Sequence, residues 1–406
     1  MSRPEPTMTP PTTERRTPRV ESLTGLRWFA AFAVFLFHAG QMLPLPKGRE
    51  IFALGDAGVT FFYILSGFVL TWSFSPDVGV RTFYWRRFAR VWPMLAVSTV
   101  FAWLCFAQVW QESWKQTLLS LTLVESWFPP QGVYRANPVA WSISCEAFFY
   151  LVFPFLIRPI VRARLRVLAA VAAGLLFVEW AYWFTVRDFV DPANFWIDLS
   201  WLLRFPPYRL VEFLLGMVAA AALRQGWRPR INLWFALGLV PVGVLVLWQG
   251  AEHGWWQPLW SEQGLTPVFA VVVVAAALRD LNGQSSFLRS RPMVSLGAWS
   301  YAFYLVHLSV LYWFTKHVMP AGAGWSNLAP MLITAAATAV LAWICYRWIE
   351  HPTERTLRRL YPRRAVPARS APAATVPAQR VPTTVADQSV DASVGVPDTA
   401  GVDLPR

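Results

Sequence analysis

LTGLRWFAAFAVFLFHAGQML, residues 23–43, is an uninterrupted apolar run that holds two ionisable residues, Arg27 and His38. At 1.5 Å per residue a helix of this length crosses about 30 Å of hydrocarbon. Residues 1–22 before it are polar and rich in Pro, Thr and Arg, and no small-residue cleavage site follows it. The run therefore reads as a retained first span and not as a cleaved signal.

Nine more apolar runs follow, near 55–75, 88–109, 139–160, 166–185, 205–223, 231–249, 266–280, 296–317 and 327–349. The fold expected is all-α: a polytopic integral membrane protein of about ten transmembrane helices. Composition agrees, with 55% hydrophobic and only 15% charged residues in 406. Soluble domains carry roughly 25% charged residues. The 24 tryptophans gather near the ends of the runs, where an amphipathic ring suits the headgroup region. A net charge of +13 in a soluble chain would suggest nucleic acid, but here it lies in short loops. With the N-terminus inside, inner segments hold 24 Lys and Arg and outer loops seven. That imbalance follows the positive-inside rule at every loop and predicts that both termini are cytoplasmic, in the cell membrane.

A short run at 117–128 ends in Pro129-Pro130 and is too brief to span, so it reads as a re-entrant or interfacial piece. The division expected is an N-terminal segment (1–22), a membrane domain (23–350) and a mostly disordered cytoplasmic tail (351–406). Cys105, Cys145 and Cys345 lie in apolar segments without metal-ligand spacing. No metal site is expected from the dispersed histidines.

Charges inside a bilayer are costly and face a protein interior or a wet cavity. Those singled out here are Arg27, His38, Glu146, Glu179, Arg209, Glu212 and His307. Arg27 and His38 are eleven residues apart, so they share a helix face and differ in depth by about 16 Å. Glu146 is expected at about the depth of His38, with Ser142 and Tyr150 on its own face. A His38–Glu146 hydrogen bond would leave the other imidazole nitrogen free as a base; a structural ion pair is the plainer alternative. Arg86, Arg87 and Arg90 fit either membrane anchoring or phosphate binding. Ser66-Gly67 permits close helix packing. His307, Arg209 and Glu212 are candidates for the same cavity, although the last two, three residues apart, also suit an ion pair. Glu179 carries no expected role.

Seven segments in order resemble the acyltransferase-3 family: LRWFAAFAVFLFH (26–38), GDAGVTFFYILSGF (55–68), WRRFARVWP (85–93), WSISCEAFFYLVFP (141–154), YRLVEFLLG (208–216), LGAWSYAFYLVH (296–307) and WIEHPTERTLRR (348–359). The resemblance covers residues 22 to 360. It implies ten helices and transfer of an acyl group, short or acetyl, from acyl-CoA to a hydroxyl on a glycan, glycolipid or antibiotic. It implies no permanently bound cofactor. The family's Arg-ten residues-His motif falls on Arg27 and His38, its Trp-Ser-x-x-x-Glu motif on Trp141, Ser142 and Glu146, and its basic loop on Arg86, Arg87 and Arg90. The competing class is a multi-helix transporter, disfavoured by the lack of an internal repeat.

Overall fold

A computed structural model describes residues 18–46, 49–106, 114–128, 137–186, 201–253 and 261–361. Among them, ten helices are long and apolar enough to cross a membrane. The spanning helices are α1 (Glu21–Met42), α2 (Gly58–Trp72), α3 (Val80–Phe106), α4 (Trp141–Arg162), α5 (Leu165–Val186), α6 (Pro206–Arg224), α7 (Leu233–Glu252), α8 (Ser261–Leu281), α9 (Arg291–His317) and α10 (Leu328–Cys345). The chain is a polytopic all-α membrane protein. α6 and α9 are the most enclosed, and α5 and α7 face outward over most of their length.

Lipid tails are as apolar as leucine, so helices associate through close packing and polar contacts. Two such contacts fix the centre. A Cβ added to Gly67 of α2 would lie 1.9 Å from the Phe213 carbonyl oxygen of α6, and one on Gly216 would lie 1.9 Å from that of Ile64. The two backbones therefore touch at a reciprocal glycine pair. α1 packs on α9, with Trp28 and Phe35 against Phe303 at ring distances of 4.9 and 5.9 Å. The start of α1 is tied down by Asp280, which accepts hydrogen bonds from the Ser22 amide (2.8 Å) and hydroxyl (2.6 Å). A carboxylate placed there satisfies an otherwise orphaned helix N–H and complements the helix dipole.

Three sequence expectations change here. The third helix begins earlier than its apolar run: α3 starts at Val80, so Arg86, Arg87 and Arg90, which the family resemblance puts in a basic loop, lie on its early turns. The short run 266–280 belongs to a longer helix, because Glu262 and Gln263 are buried inside it and lower its apparent hydropathy. Residues after 350 are also ordered at first. α10 runs through one wider turn (Tyr346–Glu350) into α11 (His351–Leu360). α11 is held to α3 by Trp85 Nε1–H donating to the Leu357 carbonyl at 2.6 Å. The tail beyond, 362–406, and the N-terminal residues 1–17 lie outside the described residues. The piece near 117–128 is a short helix, Trp114–Leu121, and a 3₁₀ turn, Glu125–Trp127. It docks on α4 through Ser126 Oγ–H to the Trp141 carbonyl (2.6 Å) and Ser144 Oγ–H to the Leu123 carbonyl (2.8 Å).

Candidate functional site

Most of the sequence-selected residues divide between two cavities; Arg86, Arg209, Glu212 and His307 line neither. The first, of about 110 Å³, lies among α1, α2, α3, α4 and α9. Arg27, Arg87, Arg90, Ser66, Ser142, Glu146 and Tyr150 line it, with Tyr301 and Tyr304. Its three arginines are not equivalent. Arg90 is ion-paired with Glu350 and Glu354, from the turn and helix that follow α10. Arg27 has Nε–H to Ser300 Oγ at 3.3 Å and the Phe62 ring at 5.8 Å. Arg87 lies between the Phe83 and Tyr150 rings, at 5.9 and 5.7 Å. Neither Arg27 nor Arg87 has a carboxylate in salt-bridge range among the described residues. Two guanidinium forks without an anionic partner, facing one cavity, suit a phosphate-bearing ligand.

The second cavity, of about 420 Å³, is lined by His38, Gln41, Asp56, Trp141, Arg204 and Tyr304, with apolar side chains between them. His38 comes from α1, one helical face and about 16 Å along the axis from Arg27. Its Nδ1 is 3.0 Å from the Val34 carbonyl and 3.1 Å from His307 Nε2. His307 Nδ1 in turn is 2.6 Å from the Tyr304 carbonyl. A carbonyl only accepts, so the hydrogen-bond network assigns a proton to Nδ1 of each ring. His38 Nδ1–H is then shared between Val34 O and His307 Nε2, and His38 Nε2 keeps its lone pair. That nitrogen has no partner among the described residues.

The two cavities share Val59 and Tyr304. The Ser142 and Tyr304 hydroxyls are 2.8 Å apart and both lie within hydrogen-bond range of the Val139 carbonyl, at 2.9 and 3.3 Å. Tyr304 therefore joins both sites: its hydroxyl reaches α4 and its carbonyl holds His307.

The expected His38–Glu146 hydrogen bond is not formed. Glu146 accepts from Ser66 Oγ–H at 3.1 Å and from the Tyr150 hydroxyl, all on the arginine side. Equal depth put the two residues level, but rotation of α4 aims Glu146 into the other cavity, and His307 takes its place beside His38. Arg209 and Glu212 line neither cavity. Arg209 is 1% exposed and bridges Glu212 (Nε to Oε2, 3.3 Å) and Glu262, with Thr60 at 3.2 Å. This is the structural ion pair foreseen as the alternative, enlarged by Glu262. Arg86 is not among the lining residues. Sequence reading overlooked Tyr304, Asp56 and Arg204. Tyr304 is three residues before His307 on one helix, which was the available signal; Asp56 sits at the edge of its apolar run, where a charge looks like a loop residue.

Comparison with known proteins bears on this arrangement. The acyltransferase-3 family model, described as an acyltransferase domain, matches residues 20–347. Acyltransferase MdmB of Streptomyces mycarofaciens is 33% identical over 382 residues, which cover 86% of this chain and 95% of the relative. Peptidoglycan O-acetyltransferase OatA of Listeria monocytogenes and O-acetyltransferase OatA of Staphylococcus aureus are each 22% identical, over 83% and 82% of this chain. The matched part spans only 56% and 57% of those two relatives. No solved structure matches the chain. Both cavities and the ten helices around them fall almost wholly inside the matched region, and the chain belongs to the acyltransferase-3 family of membrane O-acyltransferases.

Proposed function

We propose that this protein moves a short acyl group, acetyl in the simplest case, from acyl-CoA to a hydroxyl of a sugar-containing acceptor, either an envelope glycan or glycolipid or a natural product. The observation that carries this reading is the pair of cavities meeting at Tyr304, one with two unneutralised arginines and the other with His38. The donor enters the arginine cavity from the cytoplasmic side. Arg27 and Arg87 hold its phosphates; Arg90, already neutralised, shapes the wall. The cavity is narrow, which suits a linear thioester arm and not a sugar ring.

The acceptor occupies the His38 cavity. His38 Nε2 takes the proton of the acceptor hydroxyl as its oxygen attacks the thioester carbonyl. The carbon–sulfur bond then breaks, and His38 returns the proton to the departing thiolate. Tyr304 and Ser142, tied to each other and to the Val139 carbonyl, form the polar wall where the two cavities meet. His307 fixes the ring of His38, and Glu146 orders Ser66 and Tyr150 along the donor path. The protein works as a multi-pass protein of the cell membrane with both termini cytoplasmic.

The test uses the full chain in proteoliposomes with labelled acetyl-CoA and a panel of hydroxylated acceptors. Transfer of label that is lost in His38→Ala, with the variant still inserted, is the expected result. Full activity in that variant, or transfer only from a donor without CoA phosphates, overturns the reading.

A further inference from the structure

Asp56, in the 3₁₀ turn Leu54–Ala57 that leads into α2, differs from the carboxylates within the described helices, the exposed Glu252 at the end of α7 excepted. Glu146 accepts hydrogen bonds from Ser66 and Tyr150, Glu179 from Thr266, Glu212 from Thr60 and Asp280 from Ser22. Glu262 pairs with Arg209, Glu350 and Glu354 with Arg90, and Glu21 lies 3.9 Å from Arg289. Among the described residues Asp56 has no donor and no ion-pair partner. A carboxylate at the start of a helix often caps it. The N-cap positions of α2 and of the 3₁₀ turn Leu54–Ala57 that precedes it are alanines, Ala57 and Ala53, so Asp56 is not the capping residue of either. Instead Asp56 lines the His38 cavity. An ionisable group at membrane depth, without a protein partner and open to a cavity, marks a ligand position.

The surroundings narrow the ligand. Phe37, Phe106, Trp141, Tyr304 and Tyr312 supply aromatic walls. A carboxylate among aromatic faces favours a cation over a neutral diol. Arg204 also lines the cavity, with its guanidinium 4.8 Å from the Trp141 ring, but it makes no ion pair with Asp56. The cavity, at about 420 Å³, has room for a sugar ring.

We infer that Asp56 is the counter-ion for a protonated amine on the acceptor, so that the preferred acceptor is an amine-bearing sugar bound in the His38 cavity. This rests on the reading of that cavity as the acceptor site. Asp56 fixes the amine, and the ring then presents a neighbouring hydroxyl to His38 Nε2.

The experiment measures equilibrium binding of tritiated methyl glucosaminide to the full-length protein in nanodiscs at mildly acidic pH. Methyl glucoside and methyl N-acetylglucosaminide serve as neutral competitors. The wild type is expected to favour the glucosaminide by roughly tenfold or more, the scale of one charge-assisted hydrogen bond. Asp56→Asn, of the same shape, should bring the three glycosides level while acetyl-CoA binding is unchanged, which excludes misfolding. Gln41→Ala should weaken all three alike. Equal wild-type affinity for the three glycosides, or an amine preference that survives Asp56→Asn, overturns the inference. The catalytic reading fails separately. A fully active His38→Ala removes the base and leaves the amine preference standing; an inactive His38→Ala without any amine preference removes only the inference about Asp56.

Discussion

Two groups of ionisable side chains sit within the helices, and they are built in opposite ways. The Arg209 group is closed. Its guanidinium serves Glu212, Glu262 and Thr60, Thr60 also donates to Glu212 at 2.8 Å, and no member opens on either cavity. The Arg27, Arg87 and His38 groups are open. Each faces a cavity, and none of the three has a carboxylate within ion-pair distance among the described residues. Burial alone therefore does not separate structure from function, since both kinds lie in spans. What separates them is whether the protein completes the charge or leaves it for a ligand. Structural charge in a membrane is expected to be self-satisfied, because no water is present to do it.

The contrast can be broken at several points. His38→Ala should have the largest effect on activity, a loss of about 10²–10⁴-fold in kcat, the range for a positioned base. Thermal stability in detergent should hardly change, and a variant that instead fails to insert would make His38 a structural residue. Arg209→Met should do the reverse. It strands buried carboxylates and should cost about 3–5 kcal/mol of stability. Normal melting of that variant would mean that the group is not the closed unit described. Arg87→Ala should weaken donor handling by roughly 10–100-fold, seen as a higher KM for acyl-CoA with little change in kcat, from loss of a charge-assisted phosphate contact. A kcat defect at unchanged KM would place Arg87 at the chemical step.

The smallest effect concerns the short segment between α3 and α4. Glu125 is 1% exposed, accepts from the Ser120 hydroxyl, and burial pushes its carboxyl up to about 8. The folded state then holds a proton that the unfolded chain gives up above its ordinary carboxylate value. Stability from this site is complete below about pH 4.5 and is lost as pH rises toward 8. Melting temperatures of wild type and Glu125→Gln across that interval should converge at low pH and part at high pH, with the variant less sensitive. Parallel curves would remove Glu125 as the titrating group.

Much of the site was legible residue by residue. Arg27, Arg87, Ser142, Glu146 and His38 were all selected from the sequence, and all line one of the two cavities. Their partners were less legible. His38 pairs with His307, 269 positions away, and Glu146 turns from His38 toward Ser66 and Tyr150. Depth follows from counting residues along a helix, but which side chains meet depends on how each helix is rotated. Asp56 escaped notice because a charge at the end of an apolar run reads as loop, and only its lack of a partner gives it meaning.

The sequence by itself determined the ten spans, the family and the depth of Arg27 relative to His38. It could do so because a helix in lipid satisfies its own backbone hydrogen bonds, so each span is written locally. The tertiary structure alone decided that the arginine-lined and His38-lined cavities are separate and that Tyr304 joins them. It also decided that Arg90 is spent on Glu350 while Arg87 is not, and that α11 belongs to the folded unit. Those facts depend on helix rotation and on approaches such as the Gly67–Gly216 contact. Side-chain packing between distant segments sets both, and no single segment encodes it.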